Sequence, residues 1–170
     1  LANSLPASLL LWLYFLLPNH DYLLLLSIGV FAAAQADTFS SELGMLSKDT
    51  VYDILTREKL PRGVSGGVSR MGLIAGVLGS LLLSLLAFPT FGWRGFIIAT
   101  LLGILGSLLD SLVGSLLQRK YKDAQGRWQD IAHTLGEAPA KGLRFISNNT
   151  VNLITLTLVS LAGMLYFIFI

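Results

Sequence analysis

Apolar residues fall in five long blocks, at approximately 3–17, 22–40, 70–89, 95–117 and 149–170, separated by short or polar connections. The blocks are continuous rather than alternating with period two, so they predict helices and not barrel strands. Each approaches the roughly 20 residues a helix needs to cross about 30 Å of hydrocarbon. The first is the shortest, ending at Pro18-Asn19-His20-Asp21, and no basic segment precedes either early block as a signal peptide would require. The pattern predicts an all-α polytopic transmembrane helix bundle of about five spans, forming one transmembrane domain over residues 1–170. The chain opens at Leu1 without a methionine, so the expectation is a fragment lacking amino-terminal spans. No internal sequence repeat is evident.

Composition agrees. The chain has 170 residues, 54% of them hydrophobic, with 17 glycines and only 13% charged residues. That excludes a soluble globular enzyme, which could not hide so much apolar surface, and it excludes disorder, which needs polar sequence. The absence of cysteine removes disulfides, thiolate metal sites and cysteine nucleophiles, and His20 and His133 are too far apart in sequence to suggest a histidine metal centre.

The net charge is only +2, yet the basic residues are unevenly placed. Lys48, Arg57, Lys59, Arg62 and Arg70 lie in or beside loop 41–69, and Arg119, Lys120, Lys122, Arg127, Lys141 and Arg144 lie in loop 118–148. A two-span hairpin puts both loops on one side, and the positive-inside rule makes that side the cytoplasm or its equivalent. Within the first loop, residues 49–58 read as a short amphipathic interfacial helix, with Val51, Ile54 and Leu55 on one face. Ser47 reads as its N-cap and Asp53 with Arg57 as an i,i+4 pair.

Ionisable groups inside apolar spans are costly, so they mark sites. Asp37 stands at the loop end of the second block. Asp110 stands seven residues before Gln118, roughly 10–12 Å inside its helix at 1.5 Å per residue. Stripes of small or polar residues accompany them: Gly29, Ala33, Ala36 and Ser40; Gly72, Gly76 and Gly79; Gly103, Ser107, Ser111 and Gly114; Asn148, Asn152 and Thr155. Tight helix packing accounts for the glycines, and an amide can simply bond a neighbouring helix, but packing needs no carboxylate. Before the third block lies Lys59-Leu60-Pro61-Arg62-Gly63-Val64-Ser65-Gly66-Gly67-Val68-Ser69-Arg70, either an ordinary flexible turn or a loop whose N–H groups approach an anion with a helix N-terminus behind them. It is not a Walker A sequence.

Carboxylates and amide oxygens suit Mg²⁺, and basic residues with a glycine-rich turn suit phosphates. A site bounded by lipid admits an apolar tail sideways, so the chemistry implied is phosphoryl or nucleotidyl transfer involving a lipid phosphate. Nothing in the sequence supports nucleic-acid binding.

Ala36-Asp37-Thr38-Phe39-Ser40-Ser41-Glu42-Leu43-Gly44, Arg62-Gly63-Val64-Ser65-Gly66-Gly67-Val68-Ser69, Gly106-Ser107-Leu108-Leu109-Asp110-Ser111-Leu112-Val113-Gly114 with Gln118, and Asn148-Asn149-Thr150-Val151-Asn152 resemble the Domain of Unknown Function 92 membrane family, DUF92. That family includes transmembrane protein 19 and a plant phytyl-phosphate kinase. The resemblance implies an integral-membrane transferase: a kinase moving a phosphoryl group from a nucleoside triphosphate, of unknown identity, to an isoprenoid (phytyl or prenyl) monophosphate. In that reading Asp37 and Asp110 are the catalytic pair, and Asp37, Glu42 and Asp110 hold Mg²⁺ directly or through water. Arg62, Gly63, Ser65, Gly66 and Gly67 hold nucleotide phosphates, and Asn148 and Asn152 orient either ligand. The alternatives are a lipid-phosphate cytidylyltransferase, a small-solute or ion transporter and a non-catalytic assembly subunit. Against transport, residues 95–102 and 156–170 offer no polar path across the bilayer. The partners expected are the lipid bilayer and the isoprenoid lipid phosphate, and the sequence does not fix the oligomeric state.

Overall fold

A computed structural model describes residues 2–134 and 136–169. Five helices carry the fold: α1 (Leu5–Leu16), α2 (Asp21–Leu46), α3 (Arg70–Ser84), α4 (Phe88–Leu117) and α5 (Asn148–Phe169). Asp21–Leu46, Arg70–Leu117 and Asn148–Phe167 are long and apolar enough to cross a membrane, and α1 is a shorter apolar helix. The middle stretch is folded back on itself. The Ser80 hydroxyl donates to the Thr100 carbonyl at 2.8 Å, and Gly76 lies beside Ser107, so α3 and α4 run antiparallel. The reversal is made by a 3₁₀ turn at Leu85–Ala87 and by Gly92, whose φ of 57° breaks the first turn of α4. The short connection between the third and fourth apolar blocks is therefore mostly helix, because a proline in a helix's first turn costs nothing there. The last residue of the fifth apolar block, Ile170, and the opening Leu1 lie outside the described residues.

The boundaries of α2 carry a correction that matters for the site. The apolar block ends near residue 40, but the helix continues to Leu46. Ser40 to Leu46 contains no helix breaker except Gly44, and that glycine is where the start of α3 packs: a Cβ there would stand 3.3 Å from Gly72 Cα. Asp37 consequently lies well inside the helix, at the depth of Asp110, rather than at its end. Opposite one another on α2 and α4 stand Gly29 and Leu102, then Ala33 and Gly106, then the two aspartates. The two helices are parallel and in step every four residues, on the face that i and i+4 positions share.

Leu23, Leu26, Val30 and Ala33 of α2 meet Ala7 and Leu10 of α1 and Leu156 and Val159 of α5 in the main apolar cluster. Leu73, Leu82, Leu101, Leu105 and Leu161 point outward, as a lipid-facing surface requires.

Between the helices, both long loops carry short strands. β1 (Val51–Asp53) pairs antiparallel with β2 (Lys59–Leu60) on one side and β3 (Gly67–Val68) on the other, with Tyr52 facing both Lys59 and Val68. β4 (Tyr121–Lys122) and β5 (Trp128–Gln129) form a hairpin. The amphipathic helix expected at 49–58 does not form. Val51 and Asp53 are buried with Tyr52 exposed, a period of two. Asp53 Oδ1 then accepts the Leu55 and Thr56 N–H groups at 2.9 and 3.0 Å, and Arg57 takes a positive φ of 59°. An aspartate that satisfies its own downstream backbone offers the chain a turn in place of a helix. Ser47 is the C-cap of α2 rather than an N-cap.

Asp53 also joins the two loops. It is 3% exposed, takes the Ser115 hydroxyl at 2.7 and 2.8 Å, and lies 3.5 Å from the ammonium of Lys120, itself 1% exposed. Burial pushes the Asp53 carboxyl up, but the donors from Thr56, Ser115 and Leu55 and the Lys120 charge outweigh it and hold the group at about 2. Burial pushes Lys120 down, with Asp53 opposing.

Two consequences are measurable by thermal unfolding in detergent. Asp53→Asn leaves a buried ammonium without its nearest counter-charge and costs about 3 kcal/mol, and Lys120→Met leaves the buried Asp53 carboxylate without its own and costs about 2 kcal/mol, softened by the Ser115, Leu55 and Thr56 donors. Losses below about 1 kcal/mol in both variants would show that the pair is not what joins the loops. Because the folded Asp53 titrates below the 3.8 of an ordinary carboxyl, its contribution is fully present above about pH 4. That contribution, about 2 kcal/mol, is lost as pH falls from there toward 2, a loss that Asp53→Asn abolishes.

Candidate functional site

Where the helices emerge into the two loops there is a cavity of ≈ 510 Å³. Its floor is Asp37 and Asp110; its walls include Ser40, Ser41 and Glu42 of α2, the loop Arg62-Gly63-Val64-Ser65-Gly66-Gly67, Gln118 and Arg119 after α4, Asp130 after β5, and Ser147, Asn148 and Asn149 at the start of α5. The structure thus brings together Asp37, Glu42, Arg62, Gly63, Ser65, Gly66, Gly67, Asp110 and Asn148, drawn from four separated parts of the sequence.

The parallel register of α2 and α4 places the carboxyl groups of Asp37 and Asp110 within hydrogen-bonding reach of each other. Asp110 is 8% exposed. Two carboxylates this close in low-dielectric surroundings call for something positive between them, a proton or a cation. Asn152 is one turn into α5 and lies beneath the cavity, in a small pocket shared with both aspartates, Asn3 and Thr155. With its amide nitrogen turned toward Asp110, the orientation that suits its neighbours, it donates to Asp110 Oδ1 at 2.9 Å. Asn152 therefore orients the carboxylate from below and does not line the main cavity.

The three expected metal ligands are not equivalent. Asp37 and Asp110 are adjacent, whereas Glu42 lies more than a turn further along α2, exposed at the cavity mouth. Among the described residues no group of three or more His, Cys, Asp or Glu side chains stands at metal-binding spacing. Two carboxylates, with the Ser40 and Ser111 hydroxyls on the same walls, are nonetheless the oxygen set Mg²⁺ uses when phosphates and water complete its shell.

The glycine loop is held from behind. Gly66 has a φ of 78°, and a Cβ there would stand 2.6 Å from Ser115 Cα, so the loop lies flat on α4. Ile54 N–H donates to the Gly66 carbonyl at 2.9 Å, and Ser65 N–H donates to Asp130 Oδ2 at 2.9 Å. Gln118 Nε2 donates to the same oxygen at 2.9 Å. Burial pushes the Asp130 carboxyl up, with the Ser65 N–H and Lys120 opposing. Asp130 is a site residue the sequence did not announce, since it sits in a polar loop where one more acid carries no signal.

One expectation fails in detail. The helix N-terminus behind the loop, that of α3, is already capped. Met71 N–H donates to Asp49 Oδ2 at 2.8 Å and Gly72 N–H to Ser69 Oγ at 3.1 Å. An acidic cap there leaves no room for an anion. Arg62, which lines the cavity, remains available to one, whereas the Val64, Ser65 and Gly67 N–H groups of the loop are already donated to Pro61, Asp130 and Val64.

Over residues 1–160 the chain matches the model of an integral membrane protein family, DUF92, and it belongs to that family. It is 45% identical over 94 residues to an uncharacterised membrane protein of Methanocaldococcus jannaschii, covering 55% of this chain and 40% of that one. It is 31% identical over 96 residues to an uncharacterised membrane protein of Synechocystis, covering 55% and 37%. Against Protein PGR of Arabidopsis thaliana it is 30% identical over 149 residues, covering 78% of this chain and 51% of that protein. The chain spans about half or less of the length of these relatives. No solved structure matches it.

Gly66 and Gly126 separate conformational strain from contact. Both have positive φ, 78° and 76°, but a Cβ on Gly126 meets nothing within 4 Å. Gly126→Ala costs about 1 kcal/mol of left-handed strain. Gly66→Ala adds an overlap with Ser115 and lowers stability by about 2 kcal/mol more. Equal melting temperatures for the two variants would mean that the loop is not pressed against α4.

Proposed function

We propose that this chain forms the catalytic part of a membrane phosphotransferase that moves the terminal phosphoryl group of a nucleoside triphosphate onto an isoprenoid monophosphate. The supporting observation is the cavity itself: a carboxylate pair at its floor, a glycine loop with Arg62 on one wall and amides on another, open where the helices leave the apolar zone. Such a place receives a phosphate head from water and an apolar tail from lipid at once.

In this reading Asp37 and Asp110 would hold Mg²⁺, with Glu42 adding negative charge at the cavity mouth, and the ion would supply charge neutralisation between the phosphates. Arg62 positions the nucleotide phosphates, and the Ser65-Gly66-Gly67 loop, whose Ser65 and Gly67 N–H groups are already bonded, shapes the wall beside them. Gly63, with φ 80°, turns the chain so that Arg62 can face them. Asn148 orients the second phosphate, and Asn152 keeps Asp110 turned upward. An oxygen of the lipid phosphate attacks the terminal phosphorus, the bond from that phosphorus to its bridging oxygen breaks, and nucleoside diphosphate leaves. One phosphoanhydride is exchanged for another, and the attacking oxygen is already anionic, so no strong general base is required. In this reading the cavity faces the cytoplasm, or its equivalent, where nucleotides are found, an orientation that the basic residues of its two loops support.

The test uses purified protein in detergent or nanodiscs with Mg²⁺, each of four nucleoside triphosphates, and phytyl or geranylgeranyl monophosphate, read as lipid diphosphate by mass spectrometry. Product is expected from at least one pair, to vanish with EDTA, and to fall at least about 1,000-fold in Asp110→Asn while the variant keeps its melting temperature. Pyrophosphate release with a nucleotidyl-lipid product indicates the cytidylyltransferase instead. Full activity in Asp110→Asn rules out the carboxylate pair as the metal seat.

A further inference from the structure

We propose that the wall made by Arg119 and the amino-terminus of α5 is a second phosphate subsite, separate from the glycine loop, and that it seats the monophosphate head of a long-chain alcohol. This rests on the transfer reading above and divides its cavity into a donor side and an acceptor side.

The two helix starts that reach the cavity differ. That of α3 is closed by Asp49 and Ser69. At α5 the Asn148 and Asn149 N–H groups have no acceptor among the described residues, no acid stands in the first turn, and the Ser147 hydroxyl is spent on the Thr150 hydroxyl at 3.1 Å. Unsatisfied first-turn amides carry the positive end of a 22-residue helix. Arg119 lines the same cavity. Its Nη1 donates to the Arg144 carbonyl at 3.1 Å, which fixes the guanidinium, and no carboxylate pairs with it among the described residues.

A separate feature of this wall calls for a ligand. Gln118, next to Arg119, is 3% exposed and lines the cavity. Its Nε2 is committed to Asp130, while its Oε1 has no donor among the described residues. Buried acceptors left unmet are unfavourable, and Asp130 Oδ1 is unmet among the described residues as well, so this part of the wall lacks a hydrogen-bond donor while the α5 amides and Arg119 lack an acceptor. A phosphate monoester in its monoanionic form, the one populated below its second pKa of about 6, brings an O–H to the first and anionic oxygens to the second. The glycine loop and Arg62 lie on another wall of the same cavity, with Asp37 and Asp110 at its floor. Donor and acceptor phosphates on those two walls would meet above the carboxylate pair.

The experiment measures binding of radiolabelled geranylgeranyl monophosphate to the full chain in nanodiscs without nucleotide, and separately nucleotide binding without lipid. In the wild type the monophosphate binds and geranylgeraniol binds much more weakly. Arg119→Ala weakens the monophosphate by about 10- to 100-fold and leaves nucleotide binding within about twofold, while Arg62→Ala does the reverse. Arg119→Lys restores part of the loss, which a merely structural role would not show. Loss of nucleotide rather than lipid in Arg119→Ala overturns the assignment, as does equal binding of the alcohol and its phosphate. Inorganic phosphate displacing nothing supports the lipid head, whereas retention of free phosphate with no retention of the lipid ester overturns it. Should the folded wild type bind neither nucleotide nor lipid phosphate, the transfer reading falls and this subsite with it. Binding of both with no effect of Arg119→Ala removes the subsite alone.

Discussion

Two carboxylic acids held side by side inside an apolar bundle set the terms for everything around them. A charge there costs several kcal/mol by most measures, and a second charge at contact distance adds repulsion in a medium that screens it poorly. The fold accepts this arrangement because α2 and α4 approach closely along a strip of small residues, where Ala33 packs on Gly106 and a Cβ on Gly103 would come within 3.0 Å of the Ala32 Cβ. Without a hydrophobic force between helices in lipid, such close approach is what binds them. It also fixes the register that brings Asp37 opposite Asp110. The packing residues and the polar residues are thus one device, and the stripe cannot be read as packing alone.

Outside the apolar zone a second set of buried polar contacts holds the loops. Asp53 reaches across to Ser115 and Lys120, and Asp130 reaches back to Ser65 and Gln118. Each loop therefore lends the other a carboxylate. These contacts draw Gly66 against α4, so the shape of the glycine loop depends on a strand residue outside it. Short strands serve this purpose well. β1 puts Asp53 inward and Tyr52 outward, and its central place between β2 and β3 ties both ends of the loop to it.

The helical bundle was legible because apolar run length reports directly on the lipid phase, and the site residues were legible because polar groups in such runs are conspicuous. What escaped lay where that contrast disappears. The helix expected at 49–58 had an acceptable apolar face, but the decisive feature was one aspartate satisfying two N–H groups downstream, which periodicity does not register. Asp130 and Arg119 stood in charged loops among other charges. Asp49, which caps α3, looked like an ordinary loop acid, and its effect was to close the very helix start the glycine loop had suggested as an anion seat. The depth of Asp37 was misjudged because Ser40 to Leu46 reads as polar, while a helix continues as long as its backbone bonds are made and nothing breaks it.

The arrangement of the two halves gives this asymmetry its meaning. A helix carrying an aspartate, a short β unit and a returning helix occur twice in order, as α2, β1–β3 and α3, and then as α4, β4–β5 and α5. The aspartate helices are parallel, so each half delivers one carboxylate to the floor and one helix start to the rim. Were the halves equivalent, the cavity would present two like anion seats to two like ligands. It does not, because Asp49 closes the first start and the residues before Asn148 leave the second open. The proposed transfer between two phosphates would require that each be recognised in its own place. Closing one helix end with an acid, which under that proposal leaves the anion contact on that side to Arg62 and the glycine loop, is a direct physical way to make two similar halves receive two different molecules.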